Sequence, residues 1–346
     1  ESSGSTGCEK VPKELACAVP ETGIPHSAPY SDKLPTMTQP ALFARHDDSP
    51  GRAVFGNRPI DVRIEMAAYE ALWLRDGMWF AELSKLFSAN PGALPSELVD
   101  ADETDSSLAK LKERLGKSTM PFDARVHGAG EYPDRLREAI HPVEVLYYRG
   151  NWEWAHSRSI AIVGTREPSD EGVKQARRIA ARLAEENFTI VSGLAKGIDS
   201  AAHNEALAVK GRTIAVIGTP LTEAYPRENA NLQELIATEH LLISQVPFLR
   251  YAQQHWKANR YFFPARNVTM SALTEATIIV EAGDTSGTLV QARAALAQGR
   301  KLFILESLFR RSDLLWPAKF EALGAVRVAN VSQILEALTH DTAPTY

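Results

Sequence analysis

Residues 159–217 read SIAIVGTREPSDEGVKQARRIAARLAEENFTIVSGLAKGIDSAAHNEALAVKGRTIAVI, in which three short apolar runs alternate with two longer stretches of helical spacing. The runs, Ile160 to Val163, Thr189 to Ser192 and Thr213 to Ile217, are apolar on both sides of any strand they form, so each needs a cover on both faces. The amphipathic stretches between them are those covers. The alternation continues through Leu241 to Ser244, Thr277 to Glu281 and Lys301 to Leu305, with GTLVQARAALAQGR as a further helix. Such a text predicts an α/β fold, a doubly wound, mostly parallel sheet over residues 157–340.

Upstream the pattern changes. Ile64, Ala67, Ala68, Leu72 and Leu74 recur at helical intervals, and Phe80, Leu83 and Phe87 resume them after Gly77, which predicts two helices and a turn. Ser106 or Ser107 is placed to cap a third helix over LAKLKERLG, with Gly116 ending it in the left-handed region. Residues 59–118 therefore read as a small helical domain, and residues 119–156 as a connector whose VEVLYYRG is a strand leading into the sheet. Residues 1–58 carry Ser, Thr, Gly and Pro throughout, without apolar periodicity or the apolar centre of a secretory signal, and read as a flexible N-terminal tail.

The 346 residues suit two domains better than one. At 44% hydrophobic and 23% charged, the composition supports a proper core and excludes a disordered chain. Thirty-eight basic against 43 acidic side chains give a net charge of −5, which excludes a histone-like polycation, so any polyanion site must be built locally. Cys8 and Cys17, the two cysteines, lie together in the tail; the rest has no disulfide framework and no Cys-based zinc site, which fits a reducing, cytoplasmic setting. No metal or cofactor is expected. The apolar runs fall short of the roughly 18 residues of a membrane span.

In a doubly wound sheet, ligands bind beyond the carboxyl ends of the strands, where helix N-termini offer free amides to anions. Three such loops carry suitable residues. In IAIVGTREPSDEG, Gly164 permits a sharp turn, Thr165 and Ser169 offer hydroxyls and Arg166 a planar fork for phosphate oxygens. The alternative there is a plain turn with Arg166 paired to Asp170 or Glu171. A dinucleotide fingerprint is absent, because only one of its glycines is present. In TIVSGLAKGIDSAAH, Ser192 and Gly193 end a strand, Lys196 can reach a phosphate, Asp199 reads as a helix cap and His203 as a packed imidazole. In IIVEAGDTSGTLVQA, Asp284, Ser286, Gly287 and Thr288 open a helix as a small polar cradle, without the lysine of a Walker loop; the plain alternative is a well-capped helix.

One further stretch inverts the overall charge. From His240 to Thr274 there is no Asp or Glu, while Arg250, Lys257, Arg260 and Arg266 are interleaved with Tyr251, Trp256, Tyr261, Phe262 and Phe263. Cations neutralise a phosphate backbone and aromatic faces stack on unpaired bases, the combination that single-strand binders use. The alternative is a core-packing aromatic segment with solvated basic tips.

On these motifs, with YPDRLREAI, YPRENANL and FFPARN in between, the sequence resembles the DprA (Smf) family of DNA-processing proteins, a branch of the Rossmann-like domains that include the cytokinin-activating LOG proteins. The likeness covers roughly residues 120–305, with the motifs in family order. It implies a non-enzymatic protein that binds and protects single-stranded DNA, passes it to a RecA-type recombinase in natural transformation or recombination, and works as a homodimer. By position, the family's motif falls on Gly164, Thr165, Arg166 and Ser169, and its phosphate rim on Lys196, Arg266 with Asn267, and Ser286 to Thr288. Val268 stands where a second arginine is usual, the segment from Pro247 to Phe263 is longer than the family's, and no C-terminal winged helix is expected. The alternative on the same fold is a nucleotide sensor or a LOG-like nucleotide hydrolase using Glu281 as acid or base.

Overall fold

The computed structural model describes residues 52–55, 58–116, 120–128, 131–284 and 286–339. The tail reading of residues 1–58 falls almost wholly outside them. A hairpin of β1 (Arg52–Phe55) and β2 (Arg58–Asp61) leads into α1 (Val62–Leu74), α2 (Phe80–Ala89) and α3 (Ala101–Leu115). Next come β3 (Asp123–Val126), α4 (Asp134–Arg137) and β4 (Val145–Gly150). Strict alternation follows: β5 (Ser159–Val163), α5 (Asp170–Glu185), β6 (Thr189–Ser192), α6 (Ile198–Ala208), β7 (Thr213–Ile217), α7 (Ala230–Glu239) and β8 (Leu241–Ser244). Two short helices, α8 (Phe248–Gln253) and α9 (Trp256–Asn259), precede α10 (Phe262–Leu273), β9 (Ala276–Ile279), α11 (Thr288–Ala297) and β10 (Lys301–Leu305). The described chain closes with α12 (Glu306–Phe309), α13 (Trp316–Ala322), β11 (Val326–Val328) and α14 (Val331–Thr339).

The main sheet runs β11-β10-β9-β5-β6-β7-β8-β4-β3. Strands β5 to β11 pair in parallel, and β4 and β3 extend the β8 edge in antiparallel. All six expected sheet strands form, because runs apolar at every position can be stable only where both faces are covered. Within β5, Ile160 and Ile162 enter the core under α5, α6 and α14, while Ala161 and Val163 enter the core shared with α10, α11 and the N-terminal helices. The strand expected in VEVLYYRG is β4.

The third helix differs from expectation. It begins at Ala101 behind Asp100, so Ser106 and Ser107 lie inside it, and Gly116 has φ −61°, in the right-handed region. Asp102 and Glu103 fill the first turn, where acidic groups meet the positive end of the helix dipole. That acidic start reads as solvated surface in sequence, which is why the onset shifted.

The helical segment is bound to the sheet by one buried carboxylate. Glu70 on α1 is fully buried; its Oε1 accepts from Tyr147 Oη (2.6 Å) and the Phe248 amide (2.8 Å), and its Oε2 from the Leu249 amide (2.8 Å). Around it, Trp73 and Trp79 lie 5.9 and 4.8 Å from the ring of Phe262. The start of α10 is thereby fixed against α1. Among the described residues no helix is long and apolar enough to cross a membrane.

Candidate nucleic-acid interface

Strand order alone brings the three loops together. The chain steps from β5 to β6, β7 and β8 in one direction and then returns to place β9 on the other side of β5, so the loops after β9, β5 and β6 are neighbours at the carboxyl edge. Backbone bonds tie them: the Thr165 amide donates to Glu281 O (2.7 Å), and the Ile198 amide to Thr165 O (3.3 Å). Thr288 Oγ1 donates to Gly164 O at 3.4 Å.

On the outer side of this rim stand Arg166 and Lys196, both exposed, the latter 3.6 Å from Glu228. Ser286 Oγ accepts from the Thr288 amide (3.2 Å), and the exposed Gly287 opens α11 beside it. Asn267 joins this loop to α10, its Nδ2 donating to Gly287 O (3.1 Å). Lys257 and Arg260 are exposed on and just after α9. They connect to the rim through α10, whose Phe263 packs on Tyr225 at 5.3 Å and against Gly218 at the end of β7.

Four of the sequence-named residues do not reach the surface, among them Thr288, 7% exposed, whose hydroxyl is the one turned onto Gly164 O. Ser192 is fully buried and donates to Ile162 O at 2.7 Å. Gly193 is buried, and a Cβ there would strike the Arg266 guanidinium, so only glycine admits that side chain. Arg266 itself is 5% exposed and is no outward clamp. Its Nη1 donates to Gly193 O and Val216 O, and its Nε to Asn267 Oδ1 (2.8 Å). It fastens α10 to the ends of β6 and β7, a use of the planar fork that its place in a basic-aromatic run does not reveal.

Opposite Arg266 lies Asp199, also 5% exposed. It does not cap α6 in the expected way; its Oδ2 accepts from the amides of Gly193 (3.1 Å) and Ala195 (3.4 Å) in the loop before it. Gly197, with φ +84°, lets the chain enter α6 behind that loop. Burial pushes the Asp199 carboxyl up and lowers the Arg266 guanidinium to about 10, while their mutual attraction opposes both shifts. The nearby charge of Arg166 also lowers Arg266. His203 is packed as expected, its Nδ1 2.7 Å from Thr213 Oγ1, and burial lowers it to about 3.

A second carboxylate, Glu281, occupies the N-terminus of α5. Ser169 gives it a backbone amide (3.1 Å) and a hydroxyl (2.9 Å), while the same Oγ caps α5 by accepting from the Gly172 amide (3.0 Å). Helix N-termini favour anions, and here the chain supplies its own. The third loop is satisfied in the same way, since the Thr288, Leu289 and Val290 amides at the start of α11 donate to Ser286 Oγ, Ser286 O and Gly287 O. What the loops present outward is side-chain charge, from Arg166 and Lys196. Sequence reasoning missed this filling, because a carboxylate at a strand end gives no sign of which amides it will meet. It also missed Arg311 beyond β10, paired with Asp313 at 2.6 Å and raised chiefly by that bond, with Glu281 and Asp284 contributing.

Comparison with known proteins follows the same residues. The family model described as DNA recombination-mediator protein A matches residues 124–339. Protein Smf of Synechocystis sp. is 42% identical over 179 residues, 51% of this chain and 44% of the relative, so the chain spans less than half of that protein's length. The solved DNA processing protein A of Streptococcus pneumoniae superposes with TM-score 0.61 at 27% identity, over 79% of this chain and 95% of its own. The protein of that name from Helicobacter pylori, whose structure concerns a single-stranded DNA binding mode, gives TM-score 0.54 at 27% identity, over 64% of this chain and 96% of its own.

Proposed function

The chain belongs to the DNA recombination-mediator protein A family, and from that premise we propose that its carboxyl-edge rim holds the sugar-phosphate chain of single-stranded DNA and presents the strand to a RecA-type recombinase. The observation that supports this reading is that the loops bearing Arg166, Lys196 and Ser286 to Thr288 are neighbours on one edge, with Lys257 and Arg260 exposed on the segment leading into α10. Exposed cations bind phosphates, whereas amides already spent on Asp199 and Glu281, or at the start of α11 on Ser286 and Gly287, do not. The engagement of Glu281 by Ser169 also weighs against its use as a hydrolytic acid or base. A homodimer with two such rims is part of the proposal, since two sites on one strand raise its effective hold.

The test is a labelled oligonucleotide titration at two salt concentrations. Affinity should fall steeply as salt rises, and Arg166→Ala should weaken all sequences alike while reducing the salt slope by about 1. A loss confined to particular sequences would show that Arg166 reads bases instead. Strand exchange by a RecA-type recombinase, with and without the full chain, tests the handover.

A further inference from the structure

We propose that Trp256 is a nucleobase-stacking platform, so that the segment between β8 and α10 grips the bases of a strand whose phosphates follow the rim. The proposal rests on the reading of that rim as a single-stranded DNA site.

Trp256 is 55% exposed, whereas Trp73, Trp152 and Trp316 are buried and Trp79 and Trp154 half-buried. Its exposure is not slackness in the chain. Asn259 Nδ2 donates to Tyr251 O (3.0 Å), Gln254 Nε2 to Asn259 Oδ1 (2.5 Å), and Arg250 Nε to Gln254 Oε1 (3.2 Å), a frame that sets α9 on α8. His255 Nδ1 accepts the Lys257 amide at the start of α9. Glu70 anchors the other end of α8 through the Phe248 and Leu249 amides. The indole is thus held in water by a pre-formed support.

Three other aromatics of the stretch are committed elsewhere, and the fourth, Tyr261, is half-buried. Phe262 is fully buried against Trp73 and Trp79, Tyr251 packs 6.0 Å from Phe262, and Phe263 lies on Tyr225 and Gly218. Trp256 is the one Trp, Tyr or Phe of the stretch that is exposed, and its neighbour on the chain is a cation. Lys257 Nζ stands 5.8 Å from its ring centre, and the Arg260 guanidinium lies 5.5 Å from the Tyr261 ring. No Asp or Glu occurs in the sequence from His240 to Thr274. A flat face beside a cation, on a segment without carboxylates of its own and with Glu223 engaged by Tyr251, suits a base attached to its phosphate, since each part of the nucleotide then meets its complement. The position is consistent with this: three residues beyond Asn259 the chain enters α10, whose first turns touch the carboxyl ends of β6 and β7 through Arg266 and Phe263.

The experiment compares anisotropy titrations of the full chain with an oligothymidylate and with an abasic sugar-phosphate oligomer of equal length. Trp256→Ala should weaken the oligothymidylate roughly five- to a hundredfold and leave the abasic strand unchanged. Trp256→Phe should recover most of the loss, and Lys257→Ala should weaken both strands alike. An alanine variant that binds the oligothymidylate as tightly as the parent, or loses both strands equally, overturns the stacking role while leaving the rim intact. If the parent chain binds neither strand, the rim reading fails and the stacking role goes with it.

Discussion

Replacing Arg266 with alanine is expected to cost about 3–5 kcal/mol of folding stability, because it orphans buried acceptors at two strand ends and removes the cation whose field offsets the buried Asp199. Asp199, 5% exposed, would keep its bonds to the Gly193 and Ala195 amides but lose the cation that offsets its burial. The carbonyls of Gly193 and Val216 would lose their donor, and Asn267, which reaches Gly287, would lose the bond from Arg266 Nε. Urea unfolding measures the first effect. Arg266→Lys should recover part of it, since an ammonium restores charge without the fork that spans two strand ends. DNA affinity should fall in both variants, but only in step with the loss of the folded rim. A variant with an unchanged urea midpoint and no DNA binding would instead make Arg266 a direct phosphate contact, contrary to its burial.

Arg266 also marks the limit of what the chain's text discloses. The sheet was legible because Ile160 to Val163 or Thr213 to Ile217 can hardly be anything but doubly covered strands, and their order of connection puts the loops at one edge. Arg166, Lys196 and the turn at Ser286 to Thr288 follow from that placement alone. Direction within a loop does not. Arg266 and Lys257 belong to the same basic-aromatic stretch, yet one is inside and the other out, and the difference lies in acceptors, Gly193 O and Val216 O, that are remote in sequence. Trp256 and Phe262 differ for the same reason: Trp73 and Trp79 reach only the second. The edge strands β3 and β11 were missed because strands with one neighbour need no continuous apolar run, as the exposed Val326 and Arg327 show.

The second large effect concerns Glu70, which couples α1 to the start of α8. Glu70→Ala removes the acceptor of three buried donors at once, Tyr147 Oη and the amides of Phe248 and Leu249, and each orphan costs about 1–3 kcal/mol. A total loss of about 3–5 kcal/mol is expected after local relaxation. Burial raises the Glu70 carboxyl from 4.5 to about 7, outweighing those three hydrogen bonds and the attraction of Arg114. The folded protein therefore holds this proton more tightly than the unfolded chain does. Its contribution is fully present below about pH 4.5 and is lost as the pH rises through about 7. Glu70→Gln, which keeps an acceptor but cannot ionise, should cost less than alanine and flatten the decline in stability between those limits. Urea midpoints at pH 5 and pH 8 separate the two variants. Because the released amides begin α8, the support under Trp256 and Lys257 should loosen in Glu70→Ala, and oligonucleotide affinity should drop at temperatures where the sheet is still folded. Equal slopes with pH in the parent and the glutamine variant would mean that Glu70 stays ionised in the core, held by its three donors alone.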